Sequence, residues 1–291
     1  MTGTLGKSVL TVTAAVMGVI VAFSGSFGLL RPKTVPSASA TLIADDSTPR
    51  LLWSADMEEG SLADWYSPRS GPYGDFGGGE YDSDGGVTTV SAEQAHNGSI
   101  AAELSLPAGH GGTRLFRWHE LRLHRETVQA AWFYFPRSYR SVGGDGKFFN
   151  LFQFKSRSSS GAVDPIWYLD VSNPAPDRMR LDLVWWPRRL EGPWPHASGF
   201  RRWTQTVADV PVGRWFELKA RLRQSKDFDG TLRVWQDDEV IFDMDGIRTS
   251  YATCRFTPWC AENEWSVNNY SDSLTPAPSV IFVDDARIEL P

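Results

Sequence analysis

The sequence predicts an all-β domain, a two-sheet antiparallel β-sandwich over residues 51–291 that follows an N-terminal targeting segment and a short linker. Three observations carry this. From Leu51 onward, short apolar or alternating runs are separated by clusters of Gly, Pro, Asn and Asp. Sustained helical periodicity is almost absent, so strands do not alternate with helices as a parallel α/β sheet would require. The 13 Trp, 16 Phe and 8 Tyr among 291 residues supply ample apolar surface for a core and exclude a disordered or collagen-like chain.

Taken in order, residues 1–40 are read as targeting and not as fold. Positions 8–30 carry no charge and are flanked by Lys7, Arg31 and Lys33, long enough to span about 30 Å of hydrocarbon. Ala38 and Ala40 then form a small-residue cleavage pattern. A cleaved signal peptide and a retained membrane anchor both fit, and both place the body outside the cytoplasm, so a secreted or extracytoplasmic protein is expected, touching a membrane through this segment alone. Residues 41–50 form the linker. Strands are predicted at 51–56, 100–106, 128–135, 148–154, 166–171, 180–186, 215–223, 231–236, 240–242 and 279–290, with 67–86 as a glycine-rich surface loop. The pattern is cleanest at Trp215–Arg223, where Phe216, Leu218, Ala220 and Leu222 share one face and Glu217, Lys219 and Arg221 the other. No internal repeat is visible, which argues against a propeller. Cys254 and Cys260 are close enough for a disulfide in an oxidising compartment, a two-ligand metal site being the weaker alternative.

Charge is unevenly spread. The chain carries a net −6, yet residues 114–202 hold 15 basic against 8 acidic side chains. The flanking stretches are acidic, with 2 basic against 12 acidic residues over 41–113 and 9 against 15 over 203–291. Nucleic acid is excluded as a partner because most of the chain would repel phosphates, whereas a smaller acidic polymer suits the basic centre. No GxxxxGK[ST], GxGxxG or GxSxG pattern stands where nucleotide or serine-hydrolase chemistry needs it.

Several segments in sequence order carry a resemblance. Leu52-Trp53-Ser54-Ala55-Asp56 with Trp65, then His96-Asn97-Gly98-Ser99-Ile100, Trp132-Phe133-Tyr134-Phe135-Pro136, Gln153-Phe154-Lys155, Gly213-Arg214-Trp215-Phe216-Glu217 and the closing Ile281-Phe282-Val283-Asp284-Asp285 resemble secreted concanavalin-like jelly rolls, and together the polysaccharide lyases of the heparin lyase I-like group. The resemblance implies a jelly-roll fold and β-elimination on a uronate-containing polysaccharide by a monomer that requires no cofactor. A non-catalytic carbohydrate-binding domain and a glycoside hydrolase use the same fold and remain alternatives, although the Glu-x-Asp-x-x-Glu strand of sandwich glucanases is missing.

Under the resemblance, Gln153 and Lys155 occupy a Gln-x-His-type strand with lysine in place of histidine. There Gln153 would hydrogen-bond the uronate carboxylate and Lys155 would balance charge. His119-Glu120-Leu121-Arg122 matches part of an Arg-x-Glu-Leu-Arg strand. His119 is then the candidate base, because imidazole titrates near neutrality, with Glu120 and Arg122 against the substrate. Tyr270 matches the tyrosine of the last catalytic strand and is a candidate proton donor or base, with Asn268 and Asn269 neutralising the carboxylate. Arg180, Trp185, Trp186, Arg188 and Trp235 are candidate sugar contacts, since indoles stack on sugar rings and guanidinium forks hold carboxylates. Each of these types also occurs on ordinary packed or solvated surfaces. Asp56, Glu58 and Asp285 bring hard oxygen ligands to strands that often lie adjacent in such sandwiches, which would suit a structural calcium.

Overall fold

The computed structural model describes residues 49–67, 77–142, 147–157, 163–186, 201–251 and 263–291, all within a unit spanning residues 46–291. The targeting segment, Arg188, Cys254 and Cys260 lie outside the described residues. Among those described, no helix is long and apolar enough to cross a membrane.

The strands are β1 (Arg50–Ala55), β2 (Gly78–Ser83), β3 (Val87–Ser91), β4 (Ala101–Leu106), β5 (Gly111–Arg117), β6 (Glu126–Tyr134), β7 (Arg140–Ser141), β8 (Phe149–Arg157), β9 (Val163–Ala175), β10 (Arg178–Trp185), β11 (Arg201–Thr204), β12 (Trp215–Arg223), β13 (Gly230–Gln236), β14 (Glu239–Ile247), β15 (Glu264–Ser271), β16 (Leu274–Thr275) and β17 (Ser279–Leu290). Two short helices, α1 (Ala63–Tyr66) and α2 (His119–Leu123), interrupt them. An eight-stranded sheet runs β14-β13-β12-β6-β17-β4-β3, with β1 also on β17. A seven-stranded sheet runs β11-β10-β9-β8-β15-β5-β2, and β7 pairs β16 separately. All these pairings are antiparallel. The predicted sandwich is therefore the observed fold.

Alternation explains the packing. On β12, Phe216, Leu218, Ala220 and Leu222 are fully buried, as the period-2 pattern requires. Facing them across the core are Phe152 and Phe154 of β8, Leu181 and Leu183 of β10, and Trp265 and Val267 of β15. Trp53, Trp65 and Trp265 meet with ring centroids 4.8 to 6.2 Å apart. Such aromatic pairs contribute roughly 0.5–1.5 kcal/mol beyond the area they bury.

Two expectations are corrected. The stretch read as a surface loop over 67–86 contains β2, whose glycines lack the side chains that signal a strand. A Cβ on Gly78 would lie 2.0 Å from the Phe116 carbonyl oxygen, so only glycine lets β2 approach β5 there. The His119-Glu120-Leu121-Arg122 segment, expected as strand, is helix α2. Trp118 stands at its start, and the Arg122 N–H donates to the Trp118 carbonyl at 3.0 Å.

Candidate functional site on the seven-stranded sheet

Because paired residues on neighbouring strands project to the same side, the register identifies the outer face of the seven-stranded sheet. One transverse row comprises Arg114 on β5 opposite Asn268 on β15, then Asn150 on β8 opposite Asp170 on β9, Asp182 on β10 and Thr204 on β11. The Asn268 side-chain amide joins the two halves by donating to Asn150 Oδ1 at 2.6 Å. A second row runs Phe116, Ser266, Gln153, Tyr168, Val184 and Arg202 over the same six strands. Beyond it, Lys155 faces Glu264, Nζ to Oε1 at 2.9 Å.

Tyr270 lies on this face opposite Gly112 of β5 and Asn150 of β8. A Cβ on Gly112 would sit 2.5 Å from Tyr270 Cδ2, so the missing side chain gives the phenol room to lie across β5. The Arg114 guanidinium stacks on the Tyr270 ring, 4.2 Å from its centroid, with Tyr81 on β2 5.5 Å away and Phe148 4.8 Å from the Tyr270 ring. Burial pushes the Arg114 pKa down, while Tyr270 and Glu264 pull it back up. The Lys155 pKa is likewise lowered by burial, with Glu264 opposing and Arg114 adding to the fall.

The middle of the face is buried and polar. Asn150, Gln153, Asp170, Ser266 and Asn268 are each at most 3% exposed. Among the described residues, Gln153 Oε1, Ser266 Oγ and Asn268 Oδ1 have no hydrogen-bond partner, while the Asn150 side chain faces Asp170 in register and helps hold its pKa down through a hydrogen bond. Buried polar atoms are nearly always satisfied, so three unpartnered atoms on two adjacent strands make this part of the face a candidate polar site. Next to them, Arg202 donates to Asp182 Oδ2 at 2.7 Å and to Asp170 Oδ2 at 2.9 Å. Burial lifts the Asp170 pKa to about 7 although Arg202 pulls it down. Tyr168 beside it is raised by burial and by the Asp170 charge.

The structure thus gathers Gln153, Lys155, Asn268 and Tyr270 on one face, and adds Arg114, which lies outside any motif. The signal was present in the β5 run Thr113-Arg114-Leu115-Phe116-Arg117, where alternation puts Leu115 in the core and Arg114 outside.

Other candidates go elsewhere. His119, Glu120 and Arg122 sit on α2 and not on the sheet. Burial lowers the His119 pKa. Glu120 belongs to a buried clamp. Arg117 Nε donates to Glu120 Oε2 at 3.2 Å and its Nη1 to the Trp65 carbonyl at 2.9 Å, with a further bond to the Ser67 carbonyl. Arg122 is buried, its guanidinium 5.6 Å from the Trp118 ring centroid. Asn269 faces the core, donating to the Leu104 carbonyl at 2.9 Å. Trp185 also points inward and, with Trp167, Trp203 and Arg201, lines a cavity of about 210 Å³ at the sandwich edge. Trp186 is exposed, 6.4 Å from the Tyr168 ring. Arg180 is held by Asp209 at 2.8 Å, and Trp235 lies on the other sheet between Lys219 and Arg233.

The carboxylates expected around calcium are occupied by N–H groups. Asp56 Oδ1 accepts from the Glu58 amide at 3.1 Å, and Glu58 Oε1 from the Ser99 and Ile100 amides at 2.8 and 2.9 Å. Asp285 Oδ2 lies 2.6 Å from His96 Nδ1. Among the described residues, no three His, Cys, Asp or Glu side chains converge as a cation would need. The residues present do not fit the ion.

No family model matches the chain, and no curated protein matches it. Solved structures do. An endo-β-1,4-glucuronan lyase from the fungus Trichoderma reesei aligns with a TM-score of 0.55 at 13% identity, covering 83% of this chain and 96% of that one. An alginate lyase solved with alginate trisaccharide gives 0.48 at 10%, covering 83% and 99%. The alginate lyase vAL-1 from Chlorella virus gives 0.48 at 9%, covering 73% and 92%. At these identities the likeness is one of fold, a β-sandwich that polysaccharide lyases also use.

Proposed function

We propose that this protein is a polysaccharide lyase that cleaves a uronate-containing polysaccharide by β-elimination, with the outer face of the seven-stranded sheet as its active site. The observation that carries the reading is the Arg114–Tyr270 pair, 4.2 Å apart, beside buried amides with open valences. Elimination needs negative charge stabilised on the C6 carboxylate while the C5 proton leaves. Arg114 and the Asn268 and Gln153 amides supply that stabilisation. Gln153 pairs with Ser266, four residues before Tyr270, so Arg114, opposite Asn268, stands between the two. Tyr270 removes the C5 proton, a C4=C5 double bond forms as the C4–O4 bond breaks, and the same phenol returns the proton to O4. The adjacent guanidinium stabilises the phenolate that takes the proton and that re-forms when the proton passes to O4. Lys155, held by Glu264, balances the charge of the bound polymer.

With His119 on helix α2 and not on the sheet, acid–base work falls to Tyr270. A glycosidase is disfavoured because the two carboxylates that sit together, Asp170 and Asp182, are bridged by one guanidinium where a scissile bond would have to lie. The proposal groups the chain with the heparin lyase I-like enzymes and makes it an exported monomer that uses no cofactor, with residues 1–40 as signal peptide or anchor. Incubation with glucuronan, alginate, heparin and related polymers tests the reading. The expected result is growing near-ultraviolet absorbance from the unsaturated product, and its absence on every uronate polymer would sink the proposal. Saturable binding without turnover would favour a carbohydrate-binding module instead.

A further inference from the structure

The cavity of about 210 Å³ at the sandwich edge opens between β11 and β14, each the terminal strand of its sheet. One wall is aromatic. Trp167, Trp185 and Trp203 come from three neighbouring strands, β9, β10 and β11, and the Trp167 ring centroid lies 5.9 Å from that of Trp203 and 6.3 Å from that of Trp185. Met244 and Ile247 of β14 face them, and Phe228, 58% exposed, reaches the cavity from the segment before β13. These side chains occupy the space between the sheets, whereas Arg202 and Thr204 alternate with Trp203 along β11 and belong to the outer face.

Charge enters this apolar space through two arginines. The Arg248 guanidinium is committed to the carbonyls of Ser250 and Tyr251, at 3.1 and 2.9 Å. Arg201 is placed differently. Its neighbour Arg202 takes both Asp170 and Asp182, and the Arg201 guanidinium lies over the Trp185 ring at 5.7 Å, with no carboxylate at ion-pair distance among the described residues. The Trp167 indole N–H is spent on the Arg248 carbonyl at 2.8 Å. The lining side chains therefore present a cation and N–H donors but no oxygen acceptor.

Such a wall discriminates among ligands. A pyranose carries hydroxyls around its whole edge, and each must donate as well as accept. Without acceptors to meet them, those O–H groups would be buried unmade, which is costly. A flat aromatic ring has no such requirement and packs on indoles, and one carboxylate attached to it answers the guanidinium. An apolar cavity of about 150 Å³ holds a benzene ring, so the larger space here admits a ring with a short carboxylate-bearing arm.

We infer that this cavity binds a small aromatic carboxylate, at a site separate from the candidate active face, with the ring among Trp167, Trp185 and Trp203 and the carboxylate on Arg201. The site is independent of the lyase reading, and binding alone tests it. Trans-cinnamate, its neutral amide and glucuronate are titrated into the full chain by isothermal calorimetry. Cinnamate should bind about fivefold more tightly than the amide, the scale of one ion pair at an exposed guanidinium, and glucuronate should not displace it. Arg201→Gln should bring cinnamate down to the affinity of the amide while the amide stays within about twofold. Met244→Trp, which fills the cavity from β14, should abolish binding of both. Should neither variant fold, the wild-type titrations still decide. No binding of cinnamate at millimolar concentration, equal affinity for cinnamate and its amide, displacement of cinnamate by glucuronate, or cinnamate binding that survives Met244→Trp would each overturn the site and leave the lyase reading untouched.

Discussion

On the outer face of the eight-stranded sheet, two charged pairs across strands stay wet. Arg221 Nε lies 2.6 Å from Glu126 Oε1, and Arg233 Nη2 lies 2.8 Å from Asp243 Oδ2, with all four side chains at least 30% exposed. On the outer face of the seven-stranded sheet the polar groups are buried, and Gln153 Oε1, Ser266 Oγ and Asn268 Oδ1 have no partner among the described residues. The first arrangement is satisfied and inexpensive. The second costs roughly 1–3 kcal/mol for each buried atom left unmade. Under the proposed function, the outer face that keeps such a cost is the one where a ligand would complete the hydrogen bonds.

That contrast can be broken most severely at Tyr270. Tyr270→Phe should lower kcat by about 10³-fold, within the range of general acid–base catalysis. Thermal denaturation should show its Tm nearly unchanged, since the ring packing survives, and comparable kcat values would remove Tyr270 from the mechanism. Arg114→Lys keeps a cation but loses the planar fork and the stack, so kcat/KM should fall by about 10²-fold. Steady-state kinetics on the polymer that turns over will show it.

The two faces also differ in titration. Asp170 on the seven-stranded sheet and Asp284 on the eight-stranded one have pKa values raised by burial to about 7 and about 6. A carboxyl whose folded pKa lies above its unfolded value binds its proton more tightly in the folded state. Stability should therefore be greatest below about pH 4 for these two groups and decline as pH rises through 6 for Asp284 and through 7 for Asp170. Urea midpoints measured at intervals from acid to neutral pH will show the fall, and Asp170→Asn should flatten its upper part. Gln153→Leu sharpens the comparison at lower amplitude. Removing an unsatisfied buried amide should leave stability level or raise it by about 1 kcal/mol while kcat/KM drops. The smallest effect belongs to the satisfied face, where Arg233→Ala should cost no more than about 1 kcal/mol and leave kcat/KM untouched.

Legibility in the sequence followed side-chain periodicity. Trp215–Arg223 is recovered to the residue because its apolar positions alternate without interruption. β2 is hidden because the two glycines that open it carry no pattern, and only the nearness of the Phe116 and Trp65 carbonyls explains Gly78. On the functional face, Gln153 and Lys155 were legible as an i, i+2 pair on a strand. Asn268 and Asn269 could not be told apart until the register sent one outward and the other to the Leu104 carbonyl. Glu120 misled because its motif belongs to strands elsewhere, whereas here Arg117 draws it into a buried ion pair on a helix. Arg114 stands outside the Glu-Leu-Arg motif and is marked only by its alternation with the buried Leu115.

The position of β17 carries a consequence for how the chain is made. Ser279–Leu290 lies between β6 and β4 in the eight-stranded sheet and also pairs with β1. Nearly the whole length of the domain separates β1 from the strand that completes its sheet, and such long-range closure is slow. A nascent polypeptide therefore cannot finish this sheet until Leu290 has left the ribosome, and up to that moment β4 and β6 have edges waiting for the same strand. Until β17 emerges the sandwich stays open, and the chain ahead of it remains threadable.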